Sequence, residues 1–124
     1  MVRPLALIQY EKVLPGGQLV NRMQDLGYRV QTVSDASQLV EHARREKPLL
    51  VLVDLAPRTE TVTLAISQLR NDPETRHVPL IAFVNDNAAH AMETARRAGA
   101  TLVVTDAAIV AHLDHLLDQA LHVE

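Results

Sequence analysis

The sequence contains no cysteine and very few aromatic residues. Without cysteine the chain can form no disulfide and no thiolate metal site, and it has no cysteine nucleophile. Aromatic residues make up 2% of the chain, with no Trp and a single Phe83. Surfaces that stack bases and cages that bind ligands through aromatic rings are therefore poorly supplied. The core has to be built from Leu, Val, Ile and Ala.

The chain also lacks a strong charge and a long apolar run. Its net charge is -3, which does not suggest a general nucleic-acid binder. The apolar run near the N-terminus stops at Gln9, too early for a signal peptide or a membrane span. We expect a cytoplasmic protein. Its 124 residues suit one compact core and are too few for two, so we expect a single domain over residues 1–124.

Five short apolar runs are spaced along the chain. Most are continuous, which is typical of strands buried on both faces of a parallel sheet. The second run alternates less regularly and indicates an edge strand with one wetter face. The runs are Leu5 to Ile8, Arg29 to Val33, Leu49 to Val53, Leu80 to Val84, and Thr101 to Val104.

Segments with helical periodicity separate these runs. The first ends near Gly27, the second lies before Pro48 and the third lies before Pro73. The fourth is closed by Gly99, and the fifth runs from Ile109 to the C-terminus. Strand and helix thus alternate five times with short connections, which predicts a doubly wound parallel sheet with helices on both faces. In such folds, sites lie beyond the carboxyl ends of the strands.

Four stretches, in order, resemble the receiver domain of bacterial response regulators, the CheY-like family. Residues 26–30 are similar to the turn into a receiver's second strand, and 50–55 to its third strand with the phosphorylated aspartate. Residues 69–82 are similar to the entry to its fourth strand, and 95–100 to the end of its fourth helix. The resemblance covers essentially the whole chain. It implies a flavodoxin-like fold, a five-stranded parallel sheet flanked by five helices.

The resemblance also implies where receiver chemistry would be found. In receivers, an aspartate attacks a phosphoryl donor, and an acidic pair after the first strand holds a magnesium ion that offsets the negative charge. Asp54 matches the phosphoacceptor. The acidic pair falls on Gln9 and Tyr10, which are uncharged at neutral pH, and Glu11 follows one step late.

Two further receiver positions have also changed. The hydroxyl that ends the fourth strand is replaced by Val84, and the lysine that ends the fifth strand is replaced by Asp106. A carboxylate near Asp54 would repel both the phosphoryl donor and the product, by about 4 kcal/mol for charges 4 Å apart near a protein surface. Arg58 is a candidate to neutralise either carboxylate. The degenerate positions therefore predict a pseudo-receiver rather than an enzyme.

We accordingly expect a signalling domain that acts through protein–protein contacts without phosphorylation and without a cofactor. Its partner would be a sensor kinase or another signalling protein, or a second copy bound through the surface of the fourth helix, fifth strand and fifth helix. We expect no nucleic-acid or membrane partner. The alternative is a phosphorylatable single-domain response regulator that uses Asp54 and magnesium. A small-ligand domain of flavodoxin type is a third possibility, although low aromatic content disfavours a flavin.

Other polar groups have simpler explanations beside a functional one. Glu11, Asp54 and Asp106 could form a displaced cation site if their loops converge. The histidines of the last helix could bind zinc with Asp118, but a solvated polar face is the favoured interpretation. Gly16-Gly17 is interpreted as a flexible turn rather than a phosphate loop. The histidines of the last helix that were considered for the zinc site are His112, His115 and His122.

Overall fold

The computed structural model describes residues 3–11, 14–56, 58–85 and 88–121. Its five strands closely match the five apolar runs, with ends that differ by one residue in three of them. Each strand is four or five residues long. The strands are β1 (Leu5–Gln9), β2 (Arg29–Val33), β3 (Leu50–Asp54), β4 (Leu80–Val84) and β5 (Leu102–Thr105).

All five strands are parallel and lie in the order β2-β1-β3-β4-β5. The order reverses between β1 and β3, so the connections that leave these two strands diverge at one edge of the sheet. Sites in doubly wound sheets form at this point, beyond the carboxyl ends of the strands. The flavodoxin-like prediction is confirmed.

Six helices and one short 3-10 turn, Ala36–Gln38, flank the sheet in the described part of the chain. The sequence predicted five helices, because it gave no sign that the last one is broken. At His112 the backbone leaves the helical region (φ -127°, ψ 31°), although neither Gly nor Pro is nearby. The helices are α1 (Gly16–Asp25), α2 (Leu39–Glu46), α3 (Thr59–Asn71), α4 (Ala89–Ala98), α5 (Asp106–Ala111) and α6 (Leu113–Leu121).

The side chains of the strands alternate between two apolar clusters. One cluster packs under α2, α3 and α4 and includes Leu7 and Val53. The other packs under α1, α5 and α6 and includes Ile8, Leu52 and Phe83. Each central strand is buried along its whole length, as its continuous apolar sequence predicted. Because both faces are covered, polar groups can be reached mainly at the ends of the strands.

The two edge strands differ in how well their sequences predicted their exposure. β2 is partly exposed, with only Val33 buried, which confirms the edge-strand prediction. β5 is half-buried along its length, although its sequence is as apolar as that of a central strand. Only its place in the sheet makes β5 an edge, so its apolar side chains contribute to an accessible surface. Among the described residues, no helix is long and apolar enough to cross a membrane.

Candidate functional site

The residues that end the strands gather at the carboxyl edge of the sheet. Gln9 ends β1 beside Val53 of β3, and Asp54 follows Val53 at the end of β3. Val84 ends β4 and pairs with Thr105, the last residue of β5. Because neighbouring parallel strands end at the same edge, the structure gathers there the positions that the sequence singled out.

Asp54 is completely enclosed, with 0% of its surface exposed. It continues the alternation of Leu50 and Leu52, which pack toward α1, α5 and α6. Its Oδ1 accepts a hydrogen bond from the backbone N–H of Ala56 at 3.0 Å. An attacking oxygen has to come within about 3–3.5 Å of the reacting atom. In the observed conformation the side chain of Asp54 is therefore not in contact with solvent.

Gln9 is also enclosed, but on the opposite face of the sheet. It continues the alternation of Leu5 and Leu7 toward the cluster under α2, α3 and α4. Neither its amide nitrogen Nε2 nor its amide oxygen Oε1 has a hydrogen-bond partner among the described residues. A buried donor or acceptor without a partner costs about 1–3 kcal/mol. The first of the two positions that are acidic in receivers thus carries, in this chain, a neutral amide in an unfavourable environment.

Tyr10 packs against the start of α1. Its ring contacts the apolar cluster under α1, α5 and α6 and lies over Gly16, the first residue of that helix. A Cβ atom on Gly16 would overlap the ring. The prediction of a flexible turn at Gly16-Gly17 is therefore wrong, since both glycines belong to α1 and Gly16 is needed for close packing. The feature of the sequence that could have indicated this close packing is the glycine at the start of the first helix.

Glu11 forms an ion pair with Arg58, which immediately precedes α3. The Arg58 Nε lies 3.1 Å from the Glu11 Oε1, and the pair ties the β1–α1 connection to the start of α3. From the sequence, Arg58 was a candidate partner only for Asp54 or Asp106, so its pairing with Glu11 was not predicted. The only acidic side chain immediately after β1 is thus already paired with a cation.

Val84 ends β4, and Asp106 directly follows β5. Neither residue can supply the hydroxyl or the lysine that receivers carry at these positions. Val84 is buried and apolar. Asp106 is the first residue of α5, and its Oδ1 is enclosed without a hydrogen-bond partner among the described residues. Between them Thr105 caps α5, with its Oγ1 accepting the Ala108 N–H at 3.1 Å. This cap was not predicted, although a Thr directly before a helical run would have indicated it.

These side chains do not fit a magnesium ion. A hard divalent cation prefers several carboxylate oxygens. The two positions that are acidic in receivers carry an amide and a phenol in this chain, and Glu11 is paired with Arg58. Within the described ranges no three His, Asp or Glu side chains form a group that could hold a metal.

Two metal hypotheses from the sequence are therefore wrong for the described residues. The displaced cation site fails because Glu11, Asp54 and Asp106 do not form a metal-binding group. The zinc hypothesis fails for His112, His115 and Asp118, which do not form a metal-binding group; His115 and Asp118 share α6, whereas His112 lies at the break that precedes it. His122, the third histidine considered, lies outside the described residues.

A polar groove of about 480 Å³ opens near the Glu11–Arg58 pair. Asp35 lies at its wall and accepts hydrogen bonds from the Ser37 N–H and hydroxyl, which lower the pKa of Asp35 together with the charge of Arg58. No aromatic side chain lines the groove, so it offers no stacking surface for a flavin ring. Its lining residues are Glu11, Ser34, Asp35, Ala36, Ser37, Arg58 and Thr61.

No protein-family model matches the sequence, and no curated protein matches it. Solved structures do resemble it. A receiver domain of a Pseudomonas aeruginosa sensor histidine kinase, with magnesium in its active-site cleft, matches with a TM-score of 0.86 and 22% identity over 98% of this chain and 100% of that one. The activated receiver domain of Klebsiella pneumoniae RstA matches with a TM-score of 0.82 and 17% identity over 96% and 99% of the two chains.

A chemotaxis protein of Vibrio cholerae, CheY4, matches with a TM-score of 0.82 and 15% identity over 96% of this chain and 99% of that one. Each likeness extends over nearly the full length of both chains, while the sequences share few residues. The agreement therefore lies in the order and packing of the elements. This chain has the fold of response regulator receiver domains.

Proposed function

We propose that this domain acts in signal transduction as a protein-interaction module that does not require phosphorylation and catalyses no reaction. The observation that carries the proposal is the enclosure of Asp54, whose surface is 0% exposed. The receiver fold supports the signalling role. The enclosure of Asp54 supports the part of the proposal that excludes phosphorylation.

Electrostatics at the carboxyl edge support the same proposal. Phosphoryl transfer depends on cationic groups that neutralise charge on the transferred group. Here Asp106 replaces the receiver lysine, and its carboxylate oxygen Oδ1 is enclosed without a partner among the described residues. Phosphorylation of Asp54 would replace a singly charged carboxylate by an acyl phosphate that carries about two negative charges. The product would be repelled rather than stabilised.

The proposed interaction uses accessible apolar surface, and the region of α4, β5 and α5 is the candidate surface.

 The edge strand β5 leaves Val103 half-buried, and Ala91 and Met92 of α4 are half-buried beside the same apolar cluster. We propose that this surface contacts a sensor kinase, another signalling protein or a second copy of the chain. Small side chains on α4 allow a partner to approach closely.

The competing function is a phosphorylatable response regulator that uses Asp54. The test is incubation of the full chain with acetyl phosphate and magnesium chloride, followed by intact-mass measurement. We expect no phosphoryl adduct. An acid-labile adduct of one phosphoryl group that is absent from an Asp54→Asn variant would overturn the proposal.

A variant that restores the receiver groups is the positive control for this experiment. It combines Gln9→Asp, Tyr10→Asp, Val84→Thr and Asp106→Lys, and it should accept a phosphoryl group at Asp54 where the native chain does not. Circular dichroism of both proteins checks that the substitutions preserve the fold.

A further inference from the structure

The polar groove beside the Glu11–Arg58 pair has a volume of about 480 Å³, within the range of small-molecule pockets, about 300–1,000 Å³. Three segments of the chain form its walls. Glu11 follows β1, and residues 34–37 follow β2. Arg58 immediately precedes α3, and Thr61 lies in the first turn of that helix. A ligand bound in this groove would therefore contact parts of the chain that meet only through folding.

Charges of both signs lie close together in this groove. Its lining holds one cation, Arg58, and two carboxylates, Glu11 and Asp35. Arg58 lies 3.1 Å from Glu11. The hydrogen bonds from Ser37 and, to a smaller extent, the charge of Arg58 lower the pKa of Asp35, so the guanidinium is within electrostatic reach of this second carboxylate as well. The groove thus presents a cation beside an anion to whatever enters it.

The charged groups that a ligand would meet are accessible. The Arg58 side chain is 67% exposed and pairs with Glu11 through Nε, while a guanidinium carries further N–H donors on its terminal nitrogens. Asp35 is exposed, and both of its hydrogen bonds from Ser37 go to Oδ1, so Oδ2 takes no part in them. The exposed Ser34 adds a hydroxyl to the same wall. Donors and acceptors can therefore reach a ligand without a rearrangement of the fold.

We propose that this groove binds a free α-amino acid. The ligand's carboxylate would pair with the terminal N–H groups of Arg58, and its ammonium group would pair with Asp35. A ligand that carries only an anion would lie near two carboxylates, and one that carries only a cation would lie near Arg58, whereas a zwitterion pairs with both signs. The groove is distinct from the surface of α4, β5 and α5, so ligand binding is a function beyond the proposed protein contacts.

The experiment is titration of the isotope-labelled full chain with the standard free L-amino acids, added singly at matched pH and ionic strength. We expect at least one of them to change the amide chemical shifts of residues 34–37 and 58–61 in a saturable way. The N-acetylated form of that amino acid lacks the ammonium charge, and its carboxamide lacks the carboxylate. Each should bind about fivefold more weakly, because each loses one charge-assisted interaction.

Matched variants then separate the groove from the rest of the surface. Asp35→Asn removes the charge but keeps an oxygen that can accept the Ser37 N–H, and Arg58→Gln removes the cation. Each should weaken binding of the amino acid by about fivefold. Asp114→Asn, on α6, and Arg45→Gln, on α2, are the controls and should bind as the native chain does, because neither residue lines the groove. Circular dichroism checks that each variant is folded.

Three results would overturn the inference. They are saturable shift changes with no amino acid, equal binding of the free amino acid and either of its singly charged forms, and equal binding to the native chain and Asp35→Asn. Shift changes confined to residues outside the groove would overturn it as well. None of these results bears on the proposed interaction function. A phosphoryl adduct on Asp54 would instead overturn that function without affecting amino-acid binding.

Discussion

At the scale of single residues, Gln9 shows how far this carboxyl edge departs from ordinary packing. Its amide is enclosed among apolar neighbours, and both polar atoms have no partner in the described structure. The sequence indicated that the position is uncharged. It could not indicate that the amide would be unsatisfied, because satisfaction depends on side chains from other strands and helices.

Replacing Gln9 by methionine should stabilise the protein. Gln9→Met keeps the length of the side chain and removes both unsatisfied polar atoms, so we expect the free energy of unfolding to rise by about 1–2 kcal/mol. Urea denaturation followed by circular dichroism measures the change. Gln24→Met, on the exposed face of α1, is the control and should alter stability little. A less stable Gln9→Met protein would show that the amide is satisfied in solution.

Asp72 contributes to stability in a pH-dependent way. The backbone N–H of Glu74 and the Arg44 guanidinium hold the pKa of Asp72 below its ordinary value, although burial alone would raise it. A carboxyl group whose pKa is lower in the folded state stabilises the fold at pH values above its unfolded pKa, about 3.9. This contribution is lost as the pH falls through the lower, folded-state pKa.

Asp72→Asn should therefore lower stability at pH 7 and have a smaller effect at about pH 3, where the native carboxyl group is increasingly protonated. Urea midpoints measured at the two pH values test this expectation. Arg44→Gln removes one cause of the lowered pKa of Asp72 and should weaken the pH dependence in part. A difference between native and Asp72→Asn proteins that stays constant with pH would contradict the assignment.

At the scale of elements, Arg70 connects the end of α3 to the loops that enter β4 and β5. Its guanidinium donates to the backbone oxygens of Gly99, Arg76 and Val78 at 2.5, 2.6 and 2.9 Å, and to the Thr101 Oγ1 at 2.8 Å. Burial lowers the pKa of Arg70. Gly99 has a φ of +118°, and a Cβ there would overlap the Arg70 side chain.

Loss of these bonds should weaken the packing of α3 and α4 on the sheet. Arg70→Met should lower the free energy of unfolding by about 2–4 kcal/mol, because three partly buried acceptors and one exposed acceptor lose a charged donor. Chemical denaturation provides the measurement. Arg96→Met, at an exposed position of α4, is the matched control and should change stability little. Equal effects of the two substitutions would show that the Arg70 bonds contribute nothing.

Periodicity and capping residues predicted most elements, but not the break in the last helix. The Gly99 termination of α4 is confirmed by its left-handed conformation. The separation of α5 from α6 at His112 was not predicted, because neither Gly nor Pro lies near it to mark a break. The exposure of β5 also escaped prediction, because an apolar strand does not reveal its place in the sheet.

At the scale of the whole molecule, magnesium should not affect stability. A ligand that binds only the folded state raises the free energy of unfolding according to its concentration and affinity. Because the carboxyl edge does not fit this ion, the melting temperature should be the same in EDTA and in millimolar magnesium chloride. Sodium chloride at equal ionic strength controls for screening.

The double variant Gln9→Asp, Tyr10→Asp returns the acidic pair and should acquire a rise in melting temperature with magnesium. A comparable rise in the native chain would contradict the conclusion that its side chains do not fit the ion. Together, the two proteins distinguish a site lost through specific side chains from one lost through a change of fold.

Sequence alone determined the alternation of strands and helices, the parallel sheet and the side chains at the strand ends. These features depend on local periodicity and on the chain order of the apolar runs. Only the tertiary structure decided that Asp54 is enclosed, that Glu11 pairs with Arg58 and that Asp35 lines a polar groove beside this pair. Burial, pairing and groove shape arise where elements distant in sequence meet, and no local pattern specifies those contacts.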